Sequence, residues 1–234
     1  MTAIVAGGSG QLGTRVAQRL LDRGEQVLVL DRVAPSLAHS SLHHIEIDLT
    51  DEAAMTKVRA GCPVPSVLVN CQGWSPKDEA GVAVAEDVLS AHDFMAVVES
   101  NLLSCFLILR EFVPAMARSV GGHVVNVSST SARTGRSPAS IAYSAAKAGV
   151  DALTKRFAVR YAASNVIVCG VAPGKLANSR WPATTDVIDA YRDETPLGRL
   201  VGHDDVADLI VFLASERNAH LTGQTVIVDG GRLA

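Results

Sequence analysis

Tyr143 and Lys147 lie four residues apart, and of the three tyrosines only Tyr143 has a lysine at that spacing. The surrounding pattern predicts a helix over 143–163, and residues four apart on a helix share a face. A phenol and an ammonium are thereby offered to one ligand, although the pair taken alone reads equally well as surface decoration. Near the other end, Gly7-Gly8-Ser9-Gly10-Gln11-Leu12-Gly13 falls between a short apolar run and a helical pattern. Glycines let the backbone turn tightly and approach a pyrophosphate. A helix starting there offers the anion free N–H groups and the positive end of its dipole. The glycines are a weak signal alone; their place between a strand and a helix is what points to a dinucleotide. Asp31 closes the next apolar run, eighteen residues after Gly13. A carboxylate there accepts hydrogen bonds from the adenosine ribose hydroxyls and repels a 2′-phosphate, and no Lys or Arg lies inside the glycine loop to bind one. NAD is therefore expected rather than NADP, with the adjacent Arg32 blurring the choice. Asp48 closes the run after that, where it could reach the adenine amino group or share a helix cap with Thr50.

These groups need a scaffold, and the chain alternates β-like apolar runs with helical patterns. Strands are expected at 3–6, 26–30, 45–47, 66–69, 123–127, 166–171 and 225–228. Helices are expected at 11–22, 51–60, 143–163 and 203–215, with a long one over 88–118 that Pro114 kinks or breaks. Continuous β runs separated by helices imply a parallel sheet covered on both faces and joined by right-handed crossovers. The expected fold is α/β: a doubly wound parallel sheet, or Rossmann fold, forming a single domain over 1–234. Its ligand crevice lies beyond the carboxyl ends of the strands, where nearly all the residues above fall. The stretch from Arg32 to Ser41 contains Pro35 and few apolar residues, so a reduced helix or a loop is expected there.

Composition fits this reading. Hydrophobic residues make up 48% and aromatic residues 4%, so Ala, Val, Leu and Ile must fill the core. A net charge of −3 gives no electrostatic case for nucleic acid or an anionic membrane as partner. Cys62, Cys71, Cys105 and Cys169 are far apart and the histidines lack ligand spacing, so no metal site is expected. The N-terminus has no basic segment followed by a long apolar one, and no uncharged apolar run approaches the ~20 residues that span a bilayer. A cytoplasmic location is expected.

In chain order, Gly7 to Gly13, Asp48, Asn70-Cys71-Gln72-Gly73, Asn101, Asn126-Val127-Ser128-Ser129, Tyr143-Ser144-Ala145-Ala146-Lys147, Ala172-Pro173-Gly174 and the tail Leu221-Thr222-Gly223-Gln224 to Asp229-Gly230-Gly231 resemble the classical short-chain dehydrogenase/reductase family. These motifs span almost the whole chain. The resemblance implies an oxidoreductase that interconverts an alcohol and a carbonyl by hydride transfer. Tyr143 would be the general acid/base. A phenol titrates near ~10, and the Lys147 ammonium would lower it while binding the nicotinamide ribose. Ser129 would polarise the substrate oxygen. Asn101 would help to hold a water behind the lysine. Gly7, Ser9, Gly10, Gln11, Leu12, Gly13, Asp31, Asp48, Leu49, Asn70, Gly73, Tyr143, Lys147, Pro173 and Gly174 would contact the cofactor.

The chain departs from the family pattern at several points. Ala6 replaces a threonine, and Gln11 stands where the middle glycine is usual. Read as Gly7-x-x-Gly10-x-x-Gly13, the loop resembles that of the extended branch, which includes sugar-nucleotide epimerases; the short length and the C-terminal third argue against that branch. Asn70-Cys71-Gln72-Gly73 replaces N-N-A-G. Ser129 precedes Tyr143 by fourteen positions, one more than the family spacing, which Thr130 would satisfy. The alignment of Asn126-Val127-Ser128-Ser129 favours Ser129 and puts the extra residue in the loop from Arg136 to Ser140. Asn178 is the expected stand-in for a threonine usual after Pro173-Gly174.

The substrate loop is expected at about 174–194. Trp74, Thr130, Arg133, Arg180 and Trp181 are the expected substrate contacts, with Arg136 on a neighbouring loop. Arginines suit a carboxylate or phosphate, although solvated loop arginine is the commoner case. The sequence leaves the small-molecule substrate unidentified. Family resemblance implies a homodimer or homotetramer built on the apolar helices around Phe106 and Phe157. Two alternatives are a sugar-nucleotide epimerase or dehydratase, which would hold NAD tightly without net turnover, and a non-enzymatic NAD sensor, which would not need Ser129, Tyr143, Lys147 and Asn101 together.

Overall fold

Seven parallel strands, among the described residues, form one sheet in the order β3-β2-β1-β4-β5-β6-β7. They are β1 (Thr2–Ala6), β2 (Gln26–Asp31), β3 (Leu42–Glu46), β4 (Val67–Asn70), β5 (Gly122–Val127), β6 (Val166–Pro173) and β7 (Thr225–Val228). The computed structural model describes residues 2–77, 83–135, 137–177 and 185–234. The helices are α1 (Gln11–Asp22), α2 (Glu52–Gly61), α3 (Ala91–Val98), α4 (Ser104–Ala117), α5 (Ile141–Tyr161), α6 (Thr185–Asp193) and α7 (His203–Leu213). The order reverses beside β1, so β1 and β4 flank the switch point at which an α/β sheet opens its ligand crevice.

Alternate residues of each strand feed two cores. Val5, Val29, Val69 and Val171 pack beneath α1 and α7 with Val16, Leu20, Val206 and Ile210. Ile4, Leu30, Leu68 and Val168 pack on the other face with Met55, Phe112, Met116 and Val150 from α2, α4 and α5. The strands of the sheet centre are apolar on both faces, which gives parallel strands their unbroken runs.

Two expectations are corrected. The strand expected at 45–47 is β3, shifted upstream to Leu42–Glu46; it is an edge strand, half-exposed and containing His43 and His44, so it lacks the apolar run that marks the others. The single long helix is two: α3 and α4 are joined by a π-helical turn at Glu99–Leu103, and α4 runs through Pro114 without ending there. Pro114 has no N–H to give the Arg110 carbonyl, yet α4 continues to Ala117. The region expected to form the substrate loop, about 174–194, contains α6. Between β2 and β3 the chain has no helix, as Pro35 suggested.

Candidate active site

Ser140 caps α5, its hydroxyl accepting the Tyr143 N–H at 3.3 Å. Such a cap stabilises a helix start by about 1 kcal/mol. It sets Tyr143 in the first turn of α5 and Lys147 one turn later, at the end of the helix nearest the carboxyl ends of β4, β5 and β6. The Lys147 ammonium stands 5.7 Å from the centroid of the Tyr143 ring. It donates to the Val127 carbonyl at 2.9 Å and to the Gln72 carbonyl at 3.2 Å, tying α5 to the ends of β5 and β4. Burial drives the Lys147 pKa down to about 8, with Cys105, Cys71 and Asp151 opposing the shift.

Ser129 follows β5. Its oxygen accepts the Ser131 N–H at 3.1 Å, which leaves its proton for another acceptor. Burial pushes the Tyr143 phenol above its ordinary value, and hydrogen bonding with Ser129 pulls it back. The expected lowering by the Lys147 ammonium is thus not what governs this phenol. Desolvation does, because the ammonium lies by the ring and directs its protons at two carbonyls. Thr130, one residue on, donates to the Pro173 carbonyl at 3.2 Å. The two hydroxyls that the sequence leaves as alternatives are therefore separated: Ser129 meets Tyr143, and Thr130 joins the β5 and β6 ends.

Asn101 sits in the π-helical turn, and such turns often occur at functional sites. Its amide donates to the carbonyls of Trp74 at 2.7 Å and Val97 at 2.9 Å and accepts the Trp74 N–H at 3.2 Å, so it clamps the loop after β4. A Cβ added at Gly73 would stand 3.1 Å from the Lys147 ammonium and 3.2 Å from the Asn101 oxygen. Glycine there lets the loop lie against both.

The glycine loop follows β1. Gly7 has φ +71°, where its Cβ would meet the Gln72 nitrogen at 2.6 Å, and a Cβ at Gly13 would stand 2.2 Å from the Gly7 carbonyl oxygen. Side chains are excluded from both positions by backbone, so the loop closes into a cradle at the start of α1. Leu12 is buried in the core beneath it, while Gln11 is exposed. The Ser9 N–H donates to Asp31 at 3.0 Å, joining the loop to the end of β2. Arg32 pairs with Asp48 at 2.8 Å, which commits the one cation next to Asp31. Burial raises the Asp48 carboxyl, but hydrogen bonds from Thr50 and Arg32 outweigh it and hold the group below its usual range. Asp48 does not cap α2; Asp51 does, accepting the Ala54 N–H at 2.9 Å.

A cleft of about 600 Å³ runs from this cradle past the end of β4, lined by Gly7, Ser9, Gly10, Asp31, Asp48 and Leu49 and, further along, by Gln72, Gly73 and Trp74. Its size suits a large ligand. At its wall, both the nitrogen and the oxygen of the Gln72 amide are buried without a partner. A glycine cradle, a carboxylate at the end of β2 and an unsatisfied amide between cradle and lysine fit a dinucleotide. A second cleft of about 710 Å³, at the amino ends of the strands, is lined by Glu25, His123 and Phe212. It is larger, but lies away from every residue above.

Other expected residues are placed differently. Asn70 turns into the sheet, its amide donating to Asn126 at 2.8 Å, and Asn126 donates in turn to Thr154 on α5 at 2.9 Å. Asn70 thus supports the ends of β4 and β5. Arg133 is expected at the substrate, but the structure pairs it with Asp151 of α5 at 3.0 Å. Pro173 and Gly174 end β6, the Gly174 N–H donating to Val228 at 2.9 Å. Arg136, Asn178, Arg180 and Trp181 lie outside the described residues. Sequence reasoning passed over Ser100 and Ser104, which line the cleft; no spacing rule marks residues brought there by a π-helical turn.

Comparisons with known proteins agree with this geometry. Residues 7–232 match the family described as "Enoyl-(Acyl carrier protein) reductase". The chain is 34% identical to cis-4-hydroxycyclohexanecarboxylate dehydrogenase of Sinomonas cyclohexanicum, over 99% of this chain and 96% of that protein. It is 30% identical to 2-dehydro-3-deoxy-L-rhamnonate dehydrogenase (NAD(+)) of Sphingomonas sp., over 98% and 94% respectively. Among solved structures, it is similar to a 3-oxoacyl-[acyl-carrier protein] reductase with bound NAD from Brucella melitensis, with 26% identity, a TM-score of 0.87 and coverage of 98% and 90%.

Proposed function

Because the chain belongs to the short-chain dehydrogenase/reductase family, we propose that it is an NAD(H)-dependent oxidoreductase interconverting a secondary alcohol, a dihydrodiol or a hydroxy acid with the matching carbonyl compound. The observation that carries this reading is the meeting of Ser129 with the Tyr143 phenol, with Lys147 anchored behind the ring. When bound, the nicotinamide supplies or accepts the hydride. Ser129 donates its proton to the substrate oxygen and polarises it. Tyr143 exchanges a proton with that oxygen, general acid to the carbonyl and general base to the alcohol. Lys147 fixes the ends of β4 and β5 and presents its charge to the cofactor ribose. Asp31 would accept the adenosine ribose hydroxyls, and Arg32, held by Asp48, is not free for a 2′-phosphate.

NAD is favoured further by the name of the Sphingomonas relative and by the NAD bound in the Brucella structure. Two relatives are named for acids bearing oxygenated carbons, which favours a hydroxy acid or oxo acid. No helix among the described residues is long and apolar enough to cross a membrane. Work in the cytoplasm as a homodimer or homotetramer is part of the proposal, supported by Leu103 and Phe106, which stand partly exposed near the start of α4. Sedimentation at micromolar concentration tests it, and a monomer mass rejects the oligomer.

The deciding experiment offers alcohols, dihydrodiols and hydroxy acids with NAD or NADP, and carbonyls with the reduced forms, while absorbance at the NADH band is followed. Tyr143→Phe should lower turnover by roughly 10²–10⁴-fold, the usual worth of a general acid/base, and leave NADH binding nearly intact. Full activity in that variant removes Tyr143 from its role. Tightly held NAD without net turnover would favour an epimerase instead.

A further inference from the structure

Lys175 is half-buried immediately beyond the Pro173-Gly174 turn, at the carboxyl end of β6. Its backbone is committed: its carbonyl accepts the Val201 N–H at 3.1 Å, and Leu176 bridges to Val201. Its ammonium is not: among the described residues no carboxylate or carbonyl meets it. Other sheltered cations here are matched: Arg133 by Asp151, Arg232 by Glu194, and Lys147 by two carbonyls. Burial lowers the Lys175 pKa, and no acid among the described residues opposes it. A half-buried ammonium with no counter-charge costs stability, and an anion arriving beside it would offset that cost.

Position identifies the anion. The pyrophosphate of a dinucleotide belongs on the glycine loop beyond β1, whereas β6 lies three strand spacings away, about 14 Å. Lys175 instead stands next to Pro173, whose carbonyl holds Thr130 beside Ser129. Leu176 packs against the core under α1 and α7, and Lys175 precedes it at a bend just past the carboxyl end of β6, the end of the sheet that also carries Ser129 and Thr130. One lysine, without a guanidinium fork, is a point charge suited to a single carboxylate.

We propose that Lys175 binds the carboxylate of the substrate, so that the enzyme acts on a hydroxy acid or oxo acid in preference to a neutral alcohol or ketone. This rests on the oxidoreductase reading above. The test uses the purified full chain with NAD and two probe pairs: 4-hydroxycyclohexanecarboxylate and its methyl ester, and 3-hydroxybutyrate and its methyl ester. Wild type should favour acid over ester at least tenfold in kcat/KM. Lys175→Met, which keeps the apolar stem, should collapse that ratio at least tenfold through KM, and Lys175→Arg should restore much of it. An ester preference in wild type, or an unchanged ratio in Lys175→Met, overturns the proposal. If neither pair turns over, calorimetry of the NADH-loaded protein with cyclohexanecarboxylate and cyclohexanecarboxamide decides. Selective carboxylate binding lost in Lys175→Met supports the assignment, and equal binding of both probes, or of neither, overturns it. Failure of the underlying reading shows separately, as an absence of NADH binding or as full activity in Tyr143→Phe.

Discussion

The Lys147 ammonium lies 5.7 Å from the centre of the Tyr143 ring and donates to two backbone carbonyls, Val127 and Gln72. It is a structural strut as well as a charge, and its pKa, brought down by burial to about 8, makes that charge sensitive to mild alkali.

This gives a stability prediction with a definite sign. Lys147 titrates near 8 when folded and near 10.5 when unfolded, so between those values the unfolded chain binds more protons and stability rises with pH. The penalty for burying the charge is full below pH 8 and relieved towards pH 10.5, a change of about 3 kcal/mol. Cys71 and Cys105, whose thiols burial pushes up to about 12, act oppositely above pH 9. Comparing wild type with Lys147→Met largely cancels them. Denaturant melts of the cofactor-free proteins should show wild type gaining on the variant from pH 8 to 10.5. A constant difference would mean that Lys147 keeps an ordinary pKa.

Ser129 and Thr130 should separate cleanly. Ser129→Ala removes a donor aimed at the reacting oxygen and should cost roughly 10²–10³-fold in kcat. Thr130→Val breaks the bond to Pro173 and should cost about 1 kcal/mol of stability, with a far smaller effect on kcat. Steady-state kinetics beside thermal melts decide the matter, and the reverse pattern would give Thr130 the polarising role that the spacing to Tyr143 suggests.

Asp31 holds the Ser9 N–H and, in the proposed reading, stands where a 2′-phosphate would arrive. Asp31→Ala should improve kcat/KM with NADP relative to NAD at least tenfold, because it removes the carboxylate that repels a 2′-phosphate. Wild-type preference for NADP would overturn the cofactor assignment.

Most of the sheet was legible because its central strands are apolar on both faces; β1, β2 and β4 to β7 fall within a residue or two of expectation. β3 was not, because an edge strand exposes one side and carries polar residues such as His43 and His44. The split of α3 from α4 was hidden for another reason. A π-helical turn adds a residue to one turn without glycine or proline to announce it, and the visible breaker, Pro114, does not end α4. In the site, the Tyr143–Lys147 geometry followed from helical spacing. The pairing of Arg133 with Asp151 did not, because it depends on how a loop after β5 folds back on α5. Whether a basic loop residue meets a ligand or an internal acid is a tertiary fact that no local pattern carries.

The reversal of strand order beside β1 divides the crevice by length of chain as well as by place. In the proposed reading, Gly7, Asp31 and Leu49, on the adenosine side of the cleft, come from the first fifty residues, and Asn101, Ser129, Tyr143 and Lys147 come from later in the chain. The two meet across the β1–β4 seam, with Gln72 and Gly73 as the hinge. On that reading, nucleotide preference and substrate preference are set by separate lengths of chain, joined at the β1–β4 seam.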